Sequence, residues 1–330
     1  MNYITHVRKI YDSVLSTNFK QVVNGTTYDF DELNRRLQKK FEFNELRDSY
    51  IDVLSRTVEH YLPFFKEDFH EFLKVKEVYF YYHNISSSTA SHLFWIWNNN
   101  LKLSDEELND FVDSFFLGVF GYKMIDFQND NRNSNPELSF VGLYAIKIAE
   151  QLLEKTLGKE ITSQIYLRYI KMYTEIEYLE KKSKWKPSIF SWDESRKLGL
   201  KASPTYIVYE SLFRYAGYQE KKIKEMIEGL IHLSAGLQLI DDLADAKQDL
   251  VNGYETLVMK GYFDKFGISD KVTDAKINEV LTQERLKLIY NTGQELFDKA
   301  RGAIEKHDDY ILQLLIEVQN LNFTTLFEVK

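Results

Sequence analysis

The stretch that decides the fold runs from Gly236 to Asp249 and reads Gly-Leu-Gln-Leu-Ile-Asp-Asp-Leu-Ala-Asp-Ala-Lys-Gln-Asp. Before it, apolar or small residues recur in alternating steps of four and three, which is the inward stripe of an amphipathic helix. The members of this stripe are Ile223, Ile227, Leu230, Ser234 and Leu237. Asp241 is the next position, and Asp245 and Asp249 follow in steps of four. Positions four apart shift by only about 40° around a helix, so the sequence predicts a row of three carboxylates that points into the protein.

A second stretch has the same construction. Its stripe consists of Leu108, Val112, Phe115, Val119 and Tyr122. Asp126 and Asp130 continue it. A single acidic triplet on a helix is usually a solvated face, but buried like charges are costly and need a cation. The simplest cation for such oxygen ligands is a divalent metal. If the two helices face each other, they form one magnesium site at the mouth of an apolar cavity.

Composition predicts an all-α protein. The 330 residues include only four prolines and 14 glycines, and long segments have helical periodicity. The absence of cysteine excludes disulfides and thiolate chemistry. The net charge of −8 argues against nucleic-acid binding. The first 19 residues lack the apolar run of a signal peptide, and no stretch approaches the roughly 18 apolar residues of a membrane span. We therefore expect a cytoplasmic protein without an integral membrane segment.

The chain is interpreted as one domain over residues 1–330. Residues 1–60 are predicted to form two or three N-terminal helices that break near Asn24-Gly25, and residues 105–260 to form the catalytic core helices. Ser104 to Glu107 is similar to a capping box, which predicts a helix start. Proline residues 63 and 204 are also predicted to open helices.

The stretch from Gly236 to Asp249 resembles two related metal motifs. Its acids Asp241, Asp245 and Asp249 match the i, i+4 and i+8 ligand positions of the second metal motif of class I terpene synthases. With its Gly-Leu-Gln-Leu-Ile lead-in, and with Gly253 and Thr256 after it, the stretch equally resembles the second aspartate-rich motif, DDxxD, of trans-isoprenyl diphosphate synthases.

The stretch that ends in Asp126 and Asp130 resembles the first DDxxD motif of the same synthases. Asp126 and Asp130 match the outer positions, and Phe127 replaces the second Asp. Arg132 is similar to one of the Arg pair that follows this motif in the family. The resemblance therefore implies that both acids are metal ligands and that Arg132 binds substrate.

Three further basic residues resemble diphosphate binders. Lys201, forty residues before Asp241, is similar to the family's Lys-Thr motif with Ala202 in place of Thr. Arg196, 45 residues before Asp241, matches the position of the diphosphate-sensing Arg of terpene synthases. Lys247 lies beside the acidic row.

The resemblance implies a single-domain helical bundle of the class I terpenoid synthase type with a central apolar cavity. Three Mg²⁺ ions, or Mn²⁺ in their place, would bind the diphosphate of a prenyl diphosphate and make it a leaving group. Asp126, Asp241 and Arg196 would be the catalytic residues, and aromatic faces would stabilise the carbocation. The aromatic residues that we expect to contact substrate are Phe94, Trp95, Phe115, Tyr122 and Tyr206. A homodimer is expected from the family alone.

The choice between cyclisation and chain elongation depends on a second diphosphate site. Elongating synthases bind isopentenyl diphosphate through a basic segment one helix before the first motif, but this chain has no Lys or Arg from Glu77 to Leu101. The Lys of the Gly-Lys-x-Thr that often follows the second motif is also missing, because residues 253–256 read Gly-Tyr-Glu-Thr. The sequence therefore favours a terpene synthase (a lyase) that cyclises one prenyl diphosphate of C15–C20 or longer.

Three alternatives stay open. The first is an elongating isoprenyl diphosphate synthase that uses other basic residues, such as Arg47 or Arg56. The second is a prenyltransferase that acts on an acceptor without phosphate. The third is a catalytically silent subunit that regulates an active synthase.

Overall fold

The computed structural model describes residues 20–23, 26–29, 46–73, 103–129, 136–181 and 192–307, together with single helical positions between 312 and 327. Twelve α-helices lie in these ranges. In chain order they are α1 Leu46–Tyr61, α2 Lys66–Leu73, α3 Asp105–Asn129, α4 Glu137–Leu157, α5 Lys159–Lys181, α6 Trp192–Leu198, α7 Ser203–Tyr215, α8 Glu220–Ala244, α9 Ala246–Val251, α10 Tyr262–Phe266, α11 Asp274–Val280 and α12 Gln283–Ile304. Short 3-10 turns at Pro63–Phe65, Gly199–Ala202, Leu257–Met259 and Glu305–His307 connect or end some of them.

The prediction of an all-α fold is confirmed, with one local exception. Residues predicted to be helical near the N-terminus form an antiparallel hairpin, β1 Lys20–Val23 and β2 Thr26–Asp29, in which Val23 pairs with Thr26. The connection is the dipeptide Asn24-Gly25, a strong sequence signal for a two-residue hairpin loop. The prediction of helices throughout residues 1–60 is therefore wrong at 20–29, although 46–61 is helical.

The chain divides into two compact units. One, here the α3 unit, holds the described residues between 18 and 170 and those from 204 to 223. The other, the α8 unit, holds the described residues from 171 to 203 and from 224 onward. The organisation of residues 1–330 as one domain stays a prediction.

Two glycines bring helices α3 and α4 into backbone contact in the α3 unit. A Cβ added at Gly121 would lie 2.6 Å from the Gly142 carbonyl oxygen, and one added at Gly142 would lie 2.6 Å from that of Gly121. One turn earlier, a Cβ at Gly118 meets no described atom within 4 Å. The capping box at the start of α3 is confirmed, since Ser104 Oγ accepts from Glu107 N (3.3 Å) and the Glu107 carboxylate accepts from Ser104 N (2.8 Å). The position of α3 is thus fixed at its start and at its crossing with α4.

Glycines also set the packing of α8 in the α8 unit. An added Cβ at Gly229 would lie 2.8 Å from Ile304 of α12, and one at Gly236 would lie 2.8 Å from the Phe297 ring. At Gly199, in the turn after α6, it would lie 2.0 Å from the Ile231 carbonyl oxygen. These close approaches hold α8 against α12 and against the turn that carries Lys201.

Among the described residues, no helix is both long enough and apolar enough to cross a bilayer. The cytoplasmic location stays a prediction.

Candidate functional site: two acidic rows

The stripe of α8 begins in the core and emerges at the acidic row. Ile223 and Leu230 are buried, Leu237 is half-buried, and Asp241 is exposed. The prediction that the row points into the protein is therefore wrong for Asp241. Because an exposed carboxylate is hydrated, its desolvation no longer demands a cation. The assignment of this row to metal then depends on its spacing and oxygen chemistry.

The helical spacing of the row continues across the end of α8. Asp245 lies between α8 and α9, but its N–H donates to the Asp241 carbonyl (2.8 Å), and the Asp249 N–H donates to the Asp245 carbonyl (3.0 Å). These are the i to i−4 bonds of an α-helix. The backbone therefore keeps the three acids in the predicted register, with Asp245 and Asp249 half-buried.

Gln238 forms hydrogen bonds to both Asp241 and its neighbour Asp242. The Gln238 amide donates to Asp241 Oδ2 (3.1 Å) and to Asp242 Oδ1 (2.9 Å). Asp242 is only 3% exposed, whereas Asp241 is exposed. The acid that is accessible to a ligand from solvent is thus Asp241, and Asp242 packs inside the α8 unit.

Asp126 and Asp130 are here called the first row, and Asp241, Asp245 and Asp249 the second row. The first row differs because a lysine contacts Asp126. Asp126 lies near the end of α3 and is half-buried. The Lys123 ammonium donates to its Oδ2 at 2.5 Å, and the two side chains are 12% and 27% exposed. Sequence reasoning missed Lys123, although residues three apart on a helix are neighbours. Asp130 and Arg132 lie outside the described residues.

Arg196 has an ion pair in this structure. Its Nε and Nη2 each donate at 2.5 Å to one oxygen of Glu228 on α8. Glu228 precedes Asp241 by 13 residues on the same helix, which separates them by about 20 Å along the axis. An arginine side chain is far shorter than that distance. The observed conformation therefore gives Arg196 a partner about 20 Å along α8 from Asp241. Its role as a diphosphate sensor stays a prediction.

His232 completes this ion-pair cluster. Its Nε2 lies 3.3 Å from Glu228 Oε1, and its side chain is 5% exposed. Burial lowers the pKa of His232 to about 4, although the Glu228 carboxylate raises it. Burial raises the pKa of Glu228, but the hydrogen bonds and charge of Arg196 outweigh burial and lower it. Arg196 and Glu228 are therefore both charged at neutral pH, while His232 is neutral.

The two predicted lysines differ in their surroundings. Lys201 is half-buried in the 3-10 turn Gly199–Ala202. Lys247 is exposed, and its ammonium lies 2.8 Å from Asp274 on α11. In the observed conformation Lys247 therefore neutralises a surface acid of its own unit.

Among the aromatic residues predicted to contact substrate, those that the structure describes lie largely in the core. Phe115 and Tyr206 are 2% and 1% exposed, and the Tyr206 ring packs edge-on against Tyr169 with centroids 5.9 Å apart. Tyr122 is half-buried, and burial raises the pKa of its phenol. Phe94 and Trp95 lie outside the described residues. Their contact with substrate stays a prediction.

Comparison with known proteins gives matches at the level of structure. No family model matches the sequence, and no curated protein matches it either. A decaprenyl diphosphate synthase from Rhodobacter capsulatus matches with a TM-score of 0.62 and 14% identity, covering 89% of this chain and 99% of that one. A geranylgeranyl pyrophosphate synthase from Lactobacillus brevis matches with a TM-score of 0.63 and 14% identity, covering 88% and 99%. A polyprenyl synthase from Caulobacter crescentus, solved with calcium and isoprenyl diphosphate, matches with a TM-score of 0.57 and 13% identity, covering 83% and 97%.

The chain has the all-α fold of the isoprenyl diphosphate synthases. The resemblance stated from the aspartate-rich stretches is confirmed at this level. The segment from Glu77 to Leu101 contains no Lys or Arg, which would distinguish a cyclase from an elongating isoprenyl synthase. This segment lies outside the described residues. Arg56, one alternative source of positive charge, is exposed on α1.

The acids of this isoprenyl synthase fold suit a hard divalent ion. Within the described ranges, no three acidic or histidine side chains converge on one point. Mg²⁺ does not require such a cage, because it keeps several waters and binds one or two carboxylates together with substrate phosphates. Carboxylate oxygens spaced along a helix, with Asp241 accessible from solvent, fit this mode of binding.

A buried acid that the sequence analysis missed organises the α3 unit. The Glu210 carboxylate, 1% exposed on α7, accepts hydrogen bonds from Arg168 (2.7 Å), Tyr169 (2.5 Å) and Arg214 (2.7 Å). Burial, and then the Glu210 charge, raise the pKa of Tyr169. The signal was a glutamate within the apolar run Tyr206–Phe213. This cluster positions Tyr169, against which the predicted substrate contact Tyr206 packs.

Proposed function

We propose that the protein is a metal-dependent enzyme that acts on prenyl diphosphates, with chain elongation by an isoprenyl diphosphate synthase as its reaction. The observation that carries this proposal is the acidic row of α8 and α9, whose helical register is kept by backbone bonds and whose first member, Asp241, is accessible. The fold supports it, because the solved structures described above are prenyl synthases.

Divalent ions are proposed to bind at both rows, with Mg²⁺ as the metal and Mn²⁺ as a substitute. The residues that would hold them are Asp126, Asp130, Asp241, Asp245 and Asp249. When bound, the ions neutralise the diphosphate and make it a better leaving group. The presence of calcium and isoprenyl diphosphate in the Caulobacter crescentus enzyme supports this choice of ligands.

In elongation, the allylic C–O bond breaks and diphosphate leaves. A new bond forms between the allylic carbon and the alkene carbon of isopentenyl diphosphate, which then loses a proton. The proposed work of this chain is to bind diphosphate through its acidic residues and Lys201, and to surround the hydrocarbon with apolar side chains that exclude water.

Cyclisation of a single prenyl diphosphate is the second candidate. It is favoured by one specific observation, the absence of Lys and Arg from Glu77 to Leu101. A second diphosphate needs positive charge, and this segment supplies none. The solved structures that share this fold are nevertheless chain-elongating or polyprenyl synthases. For this reason we propose elongation as the main reaction and cyclisation as the second candidate.

The test is an incubation of purified protein with Mg²⁺ and, separately, geranyl, farnesyl, geranylgeranyl and geranylfarnesyl diphosphates, each with and without isopentenyl diphosphate. Mass spectrometry of the products separates the candidates. Longer linear diphosphates that form only with isopentenyl diphosphate support elongation, whereas a cyclic hydrocarbon or alcohol from one substrate alone supports cyclisation. No product in any incubation contradicts both and favours an unphosphorylated acceptor or a silent subunit.

A further inference from the structure

The first acidic row already has a cation, the ammonium group of Lys123. The Lys123 ammonium lies 2.5 Å from Asp126 Oδ2, which is the oxygen that a metal ion would need. Mg²⁺ binds carboxylate oxygens at about 2.0–2.1 Å. An ammonium and a divalent ion on the same carboxylate repel each other, so the lysine weakens metal binding at Asp126.

The pair is more protected from solvent than an ordinary surface ion pair. Lys123 is 12% exposed, while Lys147 in the comparable pair with Glu150 on α4 is 56% exposed. Exposed ion pairs contribute about 0–1 kcal/mol because water and salt screen them, and screening decreases with burial. Lys123 therefore competes with metal more effectively than a surface lysine could.

The sequence around the first row lowers the negative charge that this row offers to a metal ion. Phe127 removes one negative charge from the motif, and Lys123 adds a positive one at the same helix end. At the second row, Asp241 accepts a hydrogen bond from the neutral amide of Gln238. The first row is thus short of negative charge for metal alone, but it holds a cation that suits a phosphate oxygen.

We propose that Lys123 is a further diphosphate-binding residue, which Asp126 holds until metal and diphosphate arrive together. On their arrival the lysine exchanges Asp126 for a phosphate oxygen, and the freed carboxylate ligates the metal. The long, flexible lysine stem permits such an exchange with little backbone movement. This inference rests on the proposed function only in assigning metal to the first row.

The test is a titration of the full chain with Mn²⁺, followed by the electron paramagnetic resonance signal of the free ion. We expect Lys123→Met to bind Mn²⁺ about tenfold more tightly than wild type without diphosphate, which corresponds to ~1.4 kcal/mol. The gain is expected to disappear in Lys123→Met combined with Asp126→Asn, which would assign it to the first row. Lys147→Met is the matched control, because it removes a lysine from an i, i+3 acid pair on α4 and is expected to change nothing.

A second titration measures inorganic diphosphate in the presence of Mg²⁺. Lys123→Met is expected to bind it about tenfold more weakly, because a phosphate oxygen loses its ammonium partner. A mere structural role for Lys123 would not move the two affinities in opposite directions. Circular dichroism checks the fold, and Lys123→Gln replaces Lys123→Met if the latter is not helical.

Unchanged Mn²⁺ affinity in a folded Lys123 variant overturns the proposal. If the prenyl diphosphate incubations succeed while Mn²⁺ affinity is unchanged, the proposed function stands without this role for Lys123. If they fail but the Mn²⁺ gain depends on Asp126, the metal competition by Lys123 stands and the proposed reaction is wrong.

Discussion

The two acidic rows have similar sequences but different electrostatic surroundings. Asp126 of the first row receives a hydrogen bond from Lys123, whose side chain is half-buried, whereas Asp241 of the second row is exposed and receives one from the neutral Gln238 amide. The spacing of acids along a helix therefore predicts where carboxylates lie but not how much negative charge they offer to a metal. The difference predicts that, if both rows bind metal, the second row binds it more tightly than the first.

The largest expected effect follows from removing Asp241. We expect Asp241→Ala to reduce kcat by about a hundredfold or more, because a divalent ion at the leaving group loses a ligand. The exposed side chain contributes little to folding, so the free energy of unfolding is expected to change by less than about 0.5 kcal/mol. Product formation and circular dichroism measure the two quantities.

Asp242 provides the matched control for Asp241, since Gln238 contacts both acids. Asp242→Ala is expected to lower the free energy of unfolding by about 1–3 kcal/mol, because it is buried and hydrogen-bonded. If the two variants lose stability equally, exposure does not distinguish the acids. If Asp241→Ala keeps full activity, the second row is not the metal site.

Acid pH is expected to affect the helix of the second row more than that of the first. Helix α8 carries His232, whose pKa burial lowers to about 4, whereas α3 contains no histidine. An unfolded histidine has a pKa near 6.5, so the unfolded chain binds more protons between these values. The stabilisation by neutral His232 is present above about pH 6.5 and is lost as pH falls to about 4, by ~3 kcal/mol.

Urea unfolding at several pH values measures this loss. In His232→Gln the slope between pH 6.5 and 4 is expected to flatten. His70→Gln, which changes an exposed histidine paired with Glu59 in the α3 unit, is the control. A wild-type slope in His232→Gln would mean that other groups cause the acid sensitivity.

A smaller effect is expected at the first row. Because Lys123 already neutralises Asp126, Asp126→Asn is expected to lower kcat by about tenfold, or ~1.4 kcal/mol, with substrate at saturation. The comparison with Asp241→Ala is the informative quantity. Equal losses in the two variants would show that the rows contribute equally and would remove the distinction drawn above.

The smallest expected effect on ligand binding concerns Arg196. In the observed conformation it pairs with Glu228 about 20 Å along α8 from Asp241, so we expect Arg196→Ala to change inorganic diphosphate affinity by less than about twofold. Stability is expected to fall, because Glu228 and the buried His232 lose a charged partner. Weakening of diphosphate binding by tenfold or more would instead support the sensor role inferred from sequence spacing.

Helical periodicity predicted most of the described fold. The stripe of α8 and the capping box before α3 both had physical signals in the sequence, and both were confirmed. The hairpin at Lys20–Asp29 also had one, because β-branched residues flank Asn24-Gly25, but it was interpreted as a break between helices. Local patterns therefore predicted the helices better than this short sheet.

The surroundings of the candidate site residues were harder to predict. The partners of Arg196 and Lys247 are Glu228 and Asp274, which lie 32 and 27 residues away in the chain. No local pattern encodes such pairs, because tertiary packing brings them together. The exposure of Asp241 and the burial of Asp242 likewise depend on which face of α8 is covered.

The glycine crossing of α3 and α4 has a consequence for laboratory evolution of this chain. Side chains at Gly121 or Gly142 would collide with a main-chain oxygen of the opposite helix, and such a collision is relieved only by moving a helix. Gly118, one turn away, has described space for a methyl group. A mutant library that diversifies position 118 and leaves 121 and 142 unchanged should therefore contain more folded clones than one that treats the three glycines alike.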